Sequence, residues 1–153
     1  MSDAMPKERL LQELGAAFER VISAATAADQ RGMPANADGW GPREFVAHLA
    51  GWEVMASVRL PRIAAGMAPL EEPDEERSQV MTDAINATIV AMTGDQSLEQ
   101  VCVILRNAYQ RDIAILQTLD ERFFHPGEYV YERTRGVIEH CQEHIADMAP
   151  RGD

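Results

Sequence analysis

What most constrains this chain is that apolar residues return every three to four positions along nearly all of its 153 residues, with no convincing alternation in twos. A 3.6-residue return builds helices with one apolar face, whereas a half-buried strand needs alternation. Leu10, Leu11, Leu14, Ala17, Phe18, Val21 and Ile22 mark the first stripe and predict a helix from near Pro6 to about Asp29, proline being suited to a first turn. Residues 31–40 have the Gly and Pro content of a loop. A second helix is predicted from Pro42 through Phe45, His48, Leu49, Trp52 and Met55. Pro61 should bend or end it, because an interior proline loses a hydrogen bond and clashes with the preceding turn. A third helix is expected from about Glu75 to Met92, and a fourth from the capping-box pattern Ser97-Leu98-Glu99-Gln100 to about Thr118. Phe123 to Tyr131 is expected as a loop or short extended segment, and Glu132 to Met148 as the last helix. Five helices and no sheet give an all-α domain, most simply a four-helix bundle with one additional helix and crossover connectivity. The length suits one domain over residues 1–153, with its core over about 6–148.

A formal net charge of −11 argues against a nucleic-acid partner, since phosphate binding needs clustered Lys and Arg. The acidic run Glu71 to Glu76 reads as a solvated loop entering a helix start, where negative charge is favourable. No run approaches the ~20 apolar residues of a membrane span, and Met1 to Glu8 has no apolar core of a signal peptide. Cys102 and Cys141 read as reduced, buried thiols rather than a disulfide framework, so a cytoplasmic setting is expected.

Three of the four histidines carry the chemistry. His140 and His144 lie four apart, and such residues share a helix face with Cβ atoms about 6 Å apart. His48 stands with Phe45, Leu49 and Trp52 on the inward face of the second helix. Inward faces of different helices converge in bundles, where metal sites are built from facing side chains. Three protein nitrogens with open positions are the ligand set of a catalytic rather than a structural zinc site. Imidazole also suits nickel, copper and iron. Such an ion would act as a Lewis acid on a water or on a thiol, and both chemistries fit. On the residues alone, three histidines satisfied separately at a core boundary remain the alternative.

His125, in a loop before Pro126, is left outside the site. His140-Cys-Gln-Glu-His144 also fits the pattern of inverted zinc peptidases. That class needs a further downstream ligand and a larger framework than this chain offers. Cys141 falls in the apolar stripe and reads as an inert thiol. Glu44, one turn before His48, is either a partner of that imidazole or a solvent-facing first-turn acid. Asn86, on an otherwise apolar helix, needs a hydrogen-bond partner in a pocket or in a neighbouring loop. Trp40 and Trp52 are core anchors, with Trp52 also placed to wall a pocket. Tyr109, Tyr129 and Tyr131 are further donors to a substrate, none singled out.

Asp38-Gly-Trp-Gly-Pro-Arg-Glu-Phe-Val-Ala-His-Leu-Ala-Gly-Trp52 resembles the second-helix start of the DinB/YfiT-like proteins. The stretches Asp83 to Ala91 and Ser97 to Val101 are similar to the middle of these proteins, particularly of the ClbS/DfsB-like branch. Glu139 to His144 looks like their C-terminal H-x-x-x-H helix. The resemblance covers about Pro6 to Met148. It implies an up-and-down four-helix bundle of unusual connectivity, a homodimer, and a divalent metal, zinc or nickel, held by His48, His140 and His144. It further implies a small-molecule substrate, and a low-molecular-weight thiol in transferase or isomerase chemistry or a hydrolase in stress or detoxification. The ClbS-like branch implies an alternative, a metal-free protein that binds reactive small molecules and protects against them.

Overall fold

The computed structural model describes residues 4–69 and 74–151. The apolar stripes become five α-helices, with no strand among the described residues. These are α1 (Lys7–Gln30), α2 (Pro42–Ala64), α3 (Glu75–Met92), α4 (Leu98–Thr118) and α5 (Tyr129–Asp147), with a 3-10 turn at Glu121–Phe124 before α5. Every member of the α1 stripe is buried, and Leu10, Leu14, Phe18 and Val21 completely so. Each such side chain contributes about 1.5–3 kcal/mol by leaving water. Phe18 stacks on Tyr109 of α4 with ring centroids 5.0 Å apart. The capping box at α4 is formed in both directions, Gln100 N–H to Ser97 Oγ at 3.1 Å and Ser97 N–H to Gln100 Oε1 at 2.8 Å.

Two boundaries differ from the sequence expectation. Pro61 does not end α2, which continues to Ala64. The proline forgoes a hydrogen bond to the Ser57 carbonyl, but it lies in the last turn and its own φ is helical. The turn beyond it still closes, with the Ala65 N–H donating to the Pro61 carbonyl at 3.0 Å. The last helix starts at Tyr129 rather than Glu132, taking in residues expected in a loop. Val130 and Tyr131 are 1 % and 2 % exposed, so burial draws them into the first turn. Glu132 reinforces that start by accepting the Gly127 N–H at 2.9 Å.

Residues 70–73, with the first part of the acidic run, lie outside the described residues. The rest of the run behaves as expected. Asp74 caps α3 by accepting the Arg77 N–H at 2.8 Å, and Glu75 and Glu76 occupy the first turn. No helix among the described residues is long and apolar enough to cross a membrane.

The packing order sets up the site. α1 packs on α2, α4 and α5; α2 packs chiefly on α4, and α5 chiefly on α1. Side chains of α2 and α5 then meet across the space between these helices. His48 reaches His140, and Glu53 reaches Arg133. That pairing runs the two helices antiparallel. α3 packs on α2 and has no buried residue, and its Asn86 reaches His48 and Trp52 at the edge of that space. Gly51 permits that approach, since a Cβ there would stand 2.1 Å from Ile89 Cδ1 and 2.8 Å from Ile89 Cγ2.

Candidate metal centre

The three histidines singled out in the sequence converge. His140 Nε2 lies 3.1 Å from His48 Nε2 and 3.0 Å from His144 Nε2. All three ligating atoms lie within 4.8 Å of one another, in a group that includes neither Cys141 nor any carboxylate. Nitrogens on a tetrahedral zinc at 2.0–2.1 Å are about 3.4 Å apart, so this spacing is close to a ligand shell's. Local structure aims each ring. In the loop before α2, Asn36 Oδ1 accepts the N–H groups of Asp38 and Trp40 at 2.9 Å each, with Gly39 at φ +82°. This places Trp40 against His48 at 5.0 Å, while Phe45 backs His144 at 5.1 Å.

The proton positions follow from the partners. Trp52 Nε1 donates to Asn86 Oδ1 at 2.7 Å, and an indole nitrogen is a donor only, so that atom of Asn86 is an oxygen. The same oxygen is 2.7 Å from His48 Nδ1, which must therefore carry the proton. His144 Nδ1 donates to Asp147 Oδ2 at 3.2 Å, and His140 Nδ1 lies 3.3 Å from Glu143 Oε2. Carboxylates only accept, so both of these nitrogens are donors too. In the neutral rings all three Nε2 atoms are then bare lone pairs facing one another at about van der Waals contact or closer. Nothing among the described residues satisfies all three together. A shared cation does, and an acceptor behind each ring is the usual orienting partner of a metal-ligating histidine.

The electrostatics favour the neutral, ligating forms of His48 and His144. Burial first, then the neighbouring His144, lower the pKa of His48 to about 4, against the hydrogen bond to Asn86 that raises it. His144 is lowered as well, by burial and then by His140. Cys141 is fully buried, and burial pushes its thiol up to about 12, so it stays protonated. His125 is exposed and takes no part in the cluster.

The cluster lines one end of a cavity of about 620 Å³ between α2 and α5. Trp40, Trp52 and Asn86 wall it, and so does Tyr129. Tyr109 and Tyr131 do not. Tyr109 donates to Glu19 at 2.6 Å, and the Tyr131 hydroxyl accepts the Met5 N–H. Glu44 is not behind His48; it accepts the Gly41 N–H at 3.0 Å and pairs with Arg43 at 2.6 Å. Its place in the first turn makes it a cap for the helix that carries His48.

Sequence reasoning missed four charged residues in or next to the cavity. Glu53 and Arg133 pair at 3.1 Å, with Glu53 2 % exposed. Asp112, fully buried on α4, accepts from Ser57 Oγ at 2.8 Å. Burial, then the hydrogen bond and charge of Glu53, push the Asp112 carboxyl up to about 8. Asp112 therefore favours its protonated form at neutral pH. Arg59 lies over Trp52, 5.9 Å from guanidinium carbon to ring centroid. A signal existed for the acids: Glu53 interrupts the buried series Val46, Leu49, Ala56, Leu60, and Asp112 the series Val101, Leu105, Ala108, Leu116.

Comparison of the chain with family models, with curated proteins and with solved structures gives no match. The functional argument therefore stands on the site.

Proposed function

We propose that this protein is a divalent-metal-dependent enzyme acting on a small molecule, with zinc or nickel held by His48, His140 and His144. The observation that carries this reading is the convergence of three Nε2 lone pairs whose Nδ1 atoms are each held by an acceptor. A divalent ion bound there supplies Lewis acidity toward water or a thiol. The chain's own groups orient the rings, through Asn86, Glu143 and Asp147, and wall the reaction space with Trp40 and Trp52. The all-helical fold supports extending the proposal to a DinB/YfiT-like bundle, with thiol-dependent transfer or isomerisation, or hydrolysis, in a cytoplasmic setting.

The test is elemental analysis of tag-free protein, with zinc uptake followed by calorimetry. About one ion per chain, lost in His140→Ala, is expected. Failure of the intact chain to take up zinc, nickel or manganese would overturn the reading. One observation favours a second function, a metal-free binding protein: the 620 Å³ cavity is roomy enough for an organic ligand and is walled by both tryptophans of the chain. A homodimer belongs to the same proposal, supported by the exposed Val54 and Val58 on α2 and Val80, Met81 and Met92 on α3.

A further inference from the structure

The end of the cavity away from the histidines has charge that the metal does not need. Arg59 of α2 and Arg133 of α5 both line it. Arg59 lies three helical turns after His48, within about 20° of the same face and roughly 16 Å along the axis. Arg133 lies two turns before His140, again within about 20° and roughly 10 Å along the axis. Because the helices run antiparallel, both arginines fall at one end of the groove and the three histidines at the other.

The hydrogen bonding of the arginines is incomplete. Arg133 spends Nη2 on Glu53 at 3.1 Å, while its Nη1 is buried without a partner among the described residues. Arg59 has no carboxylate partner among the described residues, and its Nε is likewise buried and unpartnered. Glu53 does not neutralise the pair of arginines, since it is one carboxylate beside two guanidinium groups and pairs with Arg133. Trp52 fixes Arg59 from one side by its ring face. Two buried, unused N–H donors of guanidinium groups, at one end of an aromatic-walled cavity, form a receptor for an anionic oxygen group.

We propose that the substrate carries a carboxylate, seated on Arg59 and Arg133, with its reacting group directed along the groove to the three histidines. This rests on the reading of the cavity as the functional site, but not on the metal being present. Both tryptophans line the cavity, so intrinsic fluorescence reports on its occupancy. Hexanoate and its uncharged counterpart hexanamide are the probes, titrated against the full chain after chelation and again after zinc loading. Saturable hexanoate binding in the chelated protein is expected, at least about tenfold tighter than hexanamide and weakened about tenfold or more by Arg59→Gln, the range of one hydrogen bond to a charged group. Arg59 is only half-buried, so this variant keeps the fold, which a thermal melt checks. Equal binding of acid and amide, or binding that Arg59→Gln leaves unchanged, overturns the proposal. So does hexanoate binding confined to the zinc-loaded protein and indifferent to Arg59, for the carboxylate is then on the metal. Absence of zinc uptake together with Arg59-dependent hexanoate binding defeats the metal reading and leaves this proposal standing.

Discussion

The two sides of α2 make opposite uses of a similar amount of space. Toward α5 the helix borders the 620 Å³ cavity with its histidines and arginines, which Asn86 of α3 also lines. Toward α3 it borders a groove of about 420 Å³ lined by Ala47, Ala50, Gly51, Val54, Ile85 and Ile89 among others. On the first side, position is fixed by hydrogen bonds between named atoms; on the second it is fixed by shape. A directional contact fails when its chemistry changes at constant volume, and a packed contact fails when volume changes at constant chemistry. One helix thus carries two kinds of vulnerability, with Gly51 about 60° around it from His48.

That contrast can be broken in three ways. The largest effect is expected from Asn86→Ala, which takes away the acceptor of both His48 and Trp52. Zinc affinity measured by calorimetry should fall about 10–100-fold, as when the outer partner of a metal-ligating histidine is lost. Affinity within twofold of wild type would show that the imidazole is aimed by packing instead. Next, Gly51→Ala puts a methyl group into Ile89. Overpacking should cost about 1–3 kcal/mol in a urea melt, offset by roughly 0.5–1 kcal/mol from alanine's better helix propensity, while the zinc stoichiometry stays at that of wild type. A variant more stable than wild type would mean that α3 is not seated on Gly51.

The smallest effect concerns pH. Asp112 ionises near 3.8 when solvated and at about 8 in the fold. Between these values the folded protein holds an extra proton, so the stability this group contributes is full below about 3.8 and is lost as pH rises through about 8. His48 and His144, lowered in the fold, act in the opposite direction below their ordinary value of 6.5. The comparison of Asp112→Asn with wild type isolates the carboxyl. The variant should gain stability relative to wild type as pH rises from about 5 to about 8. A constant difference across that range would mean that the Asp112 carboxyl does not hold an extra proton in the fold.

Four of the helices were legible because each buries a stripe that repeats with the helical period, α3 from the same period although it buries no residue, and the start of α4 from the capping-box pattern at Ser97. The start of α5 was not, since Val130 and Tyr131 follow Pro126 and Gly127 and only their burial reveals them as helical. The histidines were legible one by one from their faces. Their meeting depends on α5 packing on α1 and α2 on α4, which no local pattern specifies. Asn86 stood out as a polar residue on an apolar helix, but its two donors come from a different helix. Glu53 and Asp112 were overlooked because each had to be read as an interruption, and their pairing joins residues far apart in the chain.

The hydrogen bond from His48 to Asn86 has one more consequence. α3 has no buried residue, so its backbone amides should exchange with solvent by local opening long before those of α1. Each such opening withdraws Asn86 and leaves His48 free to rotate or to change tautomer. The free energy of opening α3 and the affinity of the three-histidine cluster are therefore linked, so that filling the cluster slows deuterium uptake along a helix that supplies no ligand.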